Sequence, residues 1–259
     1  MVKGTILTDG QLRTNLPDIY AVGDCAMVHN RQTGKPAWSP MGSTANIAGR
    51  VLAQNLAGAE ASYPGVLGTG VARLPGGLNV GRTGLTEAAA KAEGYDVITA
   101  LSVVDDKAHY YPGVGSFIVK LTADRSTRKL LGAQILGPGA VDKLADIAVT
   151  AISLGASVDQ LATLDFAYAP PFSTAIHPFA HAVDVLLNKL DGAMDSMTPA
   201  EYAQGGADGY EIVDCALQPS LEGRRYLDLT RISGPVEGFG RDDRLLLVCT
   251  KGKRAYLCL

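Results

Sequence analysis

The residues best suited to chemistry lie near the end of the sequence, in Cys249-Thr250-Lys251-Gly252-Lys253-Arg254. A cysteine that closes a strand and opens a tight loop lets backbone amides converge on its sulfur and hold it as a thiolate. Lys251, Lys253 and Arg254 add positive charge around it. A second place is Ile19-Tyr20-Ala21-Val22-Gly23-Asp24. There a glycine lets a ligand approach the backbone, and the following carboxylate can accept hydrogen bonds from ligand hydroxyls. Taken alone, the same residues also describe an ordinary Gly-Asp turn after a strand. His177 and His181 stand four apart, but two histidines without a third ligand read as surface or interface residues rather than a metal edge. The four cysteines, at 25, 215, 249 and 258, show no Cys-x-x-Cys spacing, which argues against a disulfide framework or a structural zinc site. Cys25 reads as a small packed residue, and Cys215 and Cys258 have no recognisable partner.

Three blocks of elements must position these residues. In the first, Lys3 to Leu7 and Ile19 to Val22 read as short strands, followed by a polar loop around Gly34-Lys35-Pro36. A helix then carries Ala45, Ala48, Leu52 and Leu56 on one stripe and ends at Gly58. In the second, Thr86 caps a short helix over Glu87 to Glu93, and Val97 to Val104, Phe117 to Leu121 and Leu130 to Leu136 are strands. The short turn Asp124 to Lys129 makes the last two antiparallel. Leu144, Ile147, Ala148, Ala151 and Ile152 form an apolar helical stripe stopped by Gly155, and Phe179, Val183, Leu186, Leu187 and Leu190 form another. In the third, Thr198-Pro199-Ala200-Glu201 opens a helix with a capping box, and Tyr210 to Val213 and Leu245 to Val248 are buried strands.

A length of 259 residues suggests about two domains. With 47% hydrophobic and 19% charged residues the chain is globular rather than disordered. A net charge of −3 gives no overall attraction to nucleic acid or anionic lipid, and no apolar run is long enough to span a membrane. Met1 to Thr5 lack the charged and apolar regions of a secretory leader, so a cytoplasmic location is expected.

The segment from Arg13 to Asp24 resembles the second flavin-contacting motif of the FAD-dependent pyridine nucleotide-disulfide oxidoreductases. The resemblance implies that Asp24 binds the ribityl chain of FAD and that Gly23 permits its approach. The helix from Pro40-Met41-Gly42-Ser43-Thr44-Ala45-Asn46 onward matches the family's next element, so Gly42 and Ala45 of its first turn are expected to face the isoalloxazine. Gly68-Thr69, Thr83-Gly84-Leu85-Thr86-Glu87, Tyr111-Pro112, Leu131-Gly132-Ala133-Gln134 and Tyr168-Ala169-Pro170-Pro171-Phe172 follow in the order of the family's C-terminal dimerisation domain, as in coenzyme A disulfide reductases and NADH oxidases. This implies a homodimer in which Tyr111, or its neighbour Tyr110, and Tyr168 reach the partner's active site. A phenol there can donate a proton to a departing thiolate. Relatives commonly carry Lys-Asp-Pro after that loop, where this chain has Ile176-His177-Pro178.

The Cys249 loop resembles the Cys-x4-Arg loop of rhodaneses, in which the cysteine carries a persulfide. Tyrosine phosphatases use a loop one residue longer, so Cys249 and Arg254 are assigned to sulfur transfer. Asp214 stands at the family's Asp-x-Arg, but no arginine follows it. The implied architecture combines α/β and α+β units. Residues 1–60 are a piece of an FAD-binding α/β domain, 61–192 an α+β dimerisation domain with an antiparallel sheet, and 197–259 the start of a rhodanese-like α/β domain. The family's Gly-x-Gly-x-x-Gly, flavin-facing redox cysteine and nicotinamide domain do not occur in this sequence. NAD(P)H is therefore expected to bind through an N-terminal half of a longer parent. The expected substrates are small disulfides, persulfides or coenzyme A thiols. NADH oxidation by oxygen or peroxide, and a non-catalytic dimerisation module, are the alternatives.

Overall fold

A computed structural model describes residues 4–259. The first sheet is small, with β1 (Ile6–Leu7) parallel to β2 (Ala26–His29) and β2 antiparallel to β3 (Pro36–Ala37). Lys3, where the first strand is expected to begin, lies outside the described residues. The expected strand at Ile19 to Val22 does not form. Tyr20 makes only an isolated bridge to Arg13, because Asp18 turns the chain at φ +59° and Gly23 turns it again at φ +81°. The strand lies beyond that turn, in Ala26–His29, where Ala26, Met27 and Val28 are all buried. The polar loop begins only at Asn30, whose side chain accepts hydrogen bonds from the Gln32 and Thr33 amides. The helix α1 (Gly42–Leu56) follows, burying Ala48 against Leu12, Val28 and Tyr63.

The main body is a five-stranded antiparallel sheet. It contains β4 (Gly70–Arg73), β5 (Asn79–Gly84), β6 (Val97–Asp105), β7 (Ser116–Asp124) and β8 (Leu130–Gly137), in the order β4-β5-β8-β7-β6. Alternation along the strands sends Ile98, Ala100 and Val104 of β6 and Phe117, Val119 and Leu121 of β7 into one buried face. Between β5 and β6 sits α2 (Glu87–Ala92), with the Thr86 hydroxyl accepting from the Ala89 amide as its cap.

Two long helices cover the buried face. Leu144, Ala145, Ala148, Ala151 and Ile152 of α3 (Val141–Leu154) face inward, and Gly155 ends the helix in the left-handed region at φ +67°. The second, α5 (Pro178–Leu190), contributes Phe179, Val183 and Leu186, none of which reaches solvent. Between them, α4 (Val158–Ala162) is closed by a Ser157/Gln160 capping box. Strands on one side and helices on the other make the expected α+β layer.

Beyond α5 the chain passes through α6 (Pro199–Ala203), where Thr198 and Glu201 make both bonds of the expected capping box. It then builds a small parallel sheet from β9 (Glu211–Asp214), β10 (Arg225–Tyr226) and β11 (Leu245–Val248), with β9 in the middle. The short α7 (Lys253–Leu257) covers the strand ends and buries Ala255 against Val213 and Cys215.

Candidate functional sites

Three places collect the chemically suited residues. At the first, positive φ at Gly23 swings the backbone toward the first turn of α1, so that a Cβ there would sit 3.8 Å from that of Ala45. Asp24 is exposed, and among the described residues its carboxylate takes no hydrogen bond from the protein. Its carbonyl accepts from Trp38 Nε1 at 2.8 Å, which fixes the turn. No side chain caps α1 at Met41, so the Gly42, Ser43 and Thr44 amides stay free at the positive end of the helix dipole. A free carboxylate, a glycine and an uncapped helix terminus thus lie together, a donor and acceptor set that suits the ribityl chain and electron-rich ring edge of a flavin. Cys25, expected to be packed, is exposed, and its thiol bonds the Val22 carbonyl at 3.5 Å. The turn that presents Asp24 also turns Cys25 outward.

At the second, the loop between β6 and β7 meets the Tyr168 loop, joined by the Ala108 amide donating to the Pro170 carbonyl at 3.3 Å. The Gly115 amide on Asp106 Oδ1 closes one loop, and the Phe172 and Ser173 amides on the Ala169 carbonyl close the other. Tyr110, Tyr111 and Tyr168 are 68%, 38% and 52% exposed, and among the described residues their hydroxyls bond nothing. Next to this loop His177 is buried and stacked on Phe166 at 4.6 Å. Its Nδ1 accepts from the Phe179 amide at 3.2 Å, so it caps α5. Burial, and then the nearby Lys143 charge, push its pKa down to about 4. His181 lies one turn on and is also held below the ordinary imidazole range, by burial first and then by Lys253. Among the described residues no His, Cys, Asp or Glu cluster suits a metal.

At the third, Cys249 is half-buried at the end of β11 and its Sγ accepts from the Ala255 amide at 3.4 Å. Gly252, at φ +78°, makes the turn into α7 that brings this amide back. Two of the neighbouring cations have other partners. Arg254 Nε donates to the Cys215 carbonyl at 3.1 Å and its guanidinium lies 3.7 Å from Asp228. Lys251 pairs with Asp105, 146 residues earlier, at 2.5 Å. Asp214, buried at the end of β9, holds the loop that follows by accepting from the Ala216, Ser220 and Leu221 amides. Burial works to raise its pKa, but the Ser220, Ala216 and Leu221 amides bonded to it lower it further than burial raises it. A cavity of about 1050 Å³ opens between β6, α5 and this loop, lined by Leu101, His181, Asp184, Thr198, Cys249 and Lys251. Asp105 and Asp184 had no signal in the sequence, since only the long-range packing of β6 and α5 brings them to the cysteine loop.

An antiparallel sheet with helices on one face and tyrosine-bearing loops at one end defines an α+β domain that presents side chains outward. Residues 76–180 match the family described as pyridine nucleotide-disulphide oxidoreductase, dimerisation domain, and the chain carries that domain. The chain is 38% identical over 183 residues to the NAD(P)H sulfur oxidoreductase (CoA-dependent) of Pyrococcus furiosus, covering 71% of this chain and 41% of that protein. The NAD-dependent persulfide reductase from A. fulgidus superposes with a TM-score of 0.88 at 33% identity, over 98% of this chain and 46% of the other. Reduced Bacillus anthracis CoADR-RHD gives 0.89 at 31% identity, over 99% and 47%. The chain thus spans less than half the length of each of these relatives. Among the described residues no helix is long and apolar enough to cross a membrane.

Proposed function

We propose that this chain belongs to a homodimeric, FAD-dependent NAD(P)H oxidoreductase that reduces disulfide, persulfide or polysulfide sulfur. The observation that carries the sulfur assignment is the Ala255 amide on Cys249 Sγ in a chain that also holds the dimerisation domain. A cysteine sulfur that accepts from an amide at a strand end is suited to take up and release sulfane sulfur. The names of the Pyrococcus and A. fulgidus relatives, which act on sulfur and persulfide, support the same substrate class. When bound, FAD supplies hydride acceptance from NAD(P)H and electron delivery to sulfur. Asp24 would accept hydrogen bonds from its ribityl hydroxyls, with Gly23 leaving room and Gly42 to Thr44 presenting free amides. Tyr168 and Tyr111, exposed on joined loops, would donate protons to leaving thiolates in the partner's site. We assign residues 1–60 to the flavin domain, 61–192 to dimerisation and 197–259 to a rhodanese-like module. NAD(P)H is assigned to a part of the parent protein that this chain does not span.

The test is steady-state turnover of the full-length protein with NADH against polysulfide, oxygen and peroxide. Polysulfide is expected to give the highest kcat/KM, and a preference for oxygen would overturn the reading. Asp24→Ala is expected to weaken flavin retention by about 10- to 100-fold, the loss of one or two hydrogen bonds to a charged group. Flavin absorbance after dialysis checks it.

A further inference from the structure

Thr250, Lys251 and Gly252 form the exposed tip of the Cys249 loop, and the backbone does little to hold them. Among the described residues neither Thr250 nor Lys251 makes a backbone hydrogen bond, and the Gly252 carbonyl serves only α7, accepting from the Tyr256 amide at 3.0 Å. Among the same residues, one side chain ties this tip to the rest of the molecule. Lys251 Nζ donates to Asp105 Oδ1 at 2.5 Å, joining the cysteine loop to the end of β6.

Asp105 is a rigid acceptor. It is the last residue of β6 and stands opposite Ser116, the first of β7, in the antiparallel register. Ser116 Oγ donates to the same Oδ1 at 3.0 Å, so the carboxylate rotamer is set before Lys251 arrives and the pair costs less side-chain entropy than one between two free surface groups. The Asp105 side chain is 26% exposed. Burial works to raise its pKa, but the Lys251 and Ser116 bonds outweigh it and the carboxylate stays charged. The neighbouring Asp106 is no substitute, because its Oδ1 takes the Gly115 amide at 2.8 Å and its Oδ2 lies 3.9 Å from Lys107.

We propose that Asp105 is a positioning residue for Cys249, fixing the tip of the cysteine loop through Lys251 to the base of the loop that carries Tyr110 and Tyr111. Asp105 and Ser116 are the two residues between which that tyrosine loop leaves and re-enters the sheet, so one carboxylate anchors both loops. The turn at Gly252 brings the Ala255 amide back to Cys249 Sγ. Lys251 directly precedes that turn, so its anchor sets the direction in which α7 starts and thereby where the amide points. With the anchor removed, the left-handed turn is free to shift and the amide to leave the sulfur. The consequence for sulfur transfer rests on the reading of Cys249 given above, whereas the anchor itself does not.

The experiment compares the full-length protein with Asp105→Asn, Lys251→Met and the double variant. Asparagine still accepts from the Ser116 hydroxyl through its carbonyl oxygen, so the base of the tyrosine loop stays closed while the charge is lost. Each single variant is expected to lower kcat/KM for thiosulfate:cyanide sulfurtransfer by about three- to tenfold, and the double variant by no more than about twofold beyond the weaker single, because all three remove one contact. Hydrogen exchange reads the anchor without the chemistry, and the Ala255 and Tyr256 amides are expected to exchange about three- to tenfold faster in all three variants. Losses that multiply in the double variant, a raised KM in Lys251→Met with Asp105→Asn unchanged, or exchange at the wild-type rate would overturn the proposal. A wild-type protein without sulfurtransfer activity, whose exchange still responds to Asp105→Asn, would sink the sulfur-carrier reading and keep the anchor.

Discussion

In the full-length protein, Cys249→Ala is expected to lower thiosulfate:cyanide sulfurtransfer by about a thousandfold or more, to the background rate, because the group that carries sulfur between donor and acceptor is gone. The side chain is half-buried at the rim of a small core, so its removal leaves the parallel sheet in place. Cys249→Ser separates the two contributions of the sulfur. A hydroxyl can still accept from the Ala255 amide, 3.4 Å away in the wild type, but cannot hold sulfane sulfur. Both variants are therefore expected to lose transfer equally while keeping the flavin content of the parent. Retention of transfer in either variant would move the chemistry to another thiol.

The expected surroundings of that sulfur were only partly legible. The strand before Cys249 and the turn after it follow from Leu245 to Val248 and from Gly252. The destination of the cations does not. Arg254 bonds the Cys215 carbonyl and lies within ion-pair distance of Asp228, while Lys251 finds Asp105 across 146 residues. Loop spacing reports which residues are near a cysteine in sequence, and tertiary packing decides which way a long cation reaches.

The main sheet was legible where burial imposes alternation, as in β6, β7 and β8, and where a cap marks a helix, as at Thr86, Gly155 and Thr198. It was illegible in β5, where Asn79-Val80-Gly81-Arg82-Thr83-Gly84 lacks strand character. Close packing explains Gly84 and Gly132, which faces it across the sheet. A Cβ at Gly84 would strike the Leu131 carbonyl, and one at Gly132 the Leu85 carbonyl, so two segments are pressed together too tightly for side chains. In the first block the error was one of position. Gly23 reads as the end of a strand, yet its positive φ makes it the turn before one. The same turn leaves Asp24 exposed beside the start of α1 and so helps define the candidate flavin site.

Acid should expose the cost of burying His177. Its Nδ1 accepts from the Phe179 amide, a bond that requires an unprotonated nitrogen, and Phe166 covers one face of the ring. Burial and the Lys143 charge lower its folded pKa to about 4, whereas in the unfolded chain an unperturbed histidine titrates near 6.5. Between these values the unfolded state binds more protons, so stability rises with pH across the window. The contribution is fully present above about pH 6.5 and is lost as pH falls toward 4, for a total of roughly 3 kcal/mol. Carboxylates held below their usual range, such as Asp124 and Asp214, lose stability on acidification as well, so the wild-type curve alone does not isolate the histidine. His177→Asn does, since asparagine can cap the helix through its carbonyl oxygen but does not titrate. In urea melts from pH 7.5 to 4, the wild type is expected to lose roughly 3 kcal/mol more than His177→Asn. Parallel losses in the two proteins would show that His177 is not held neutral in the fold.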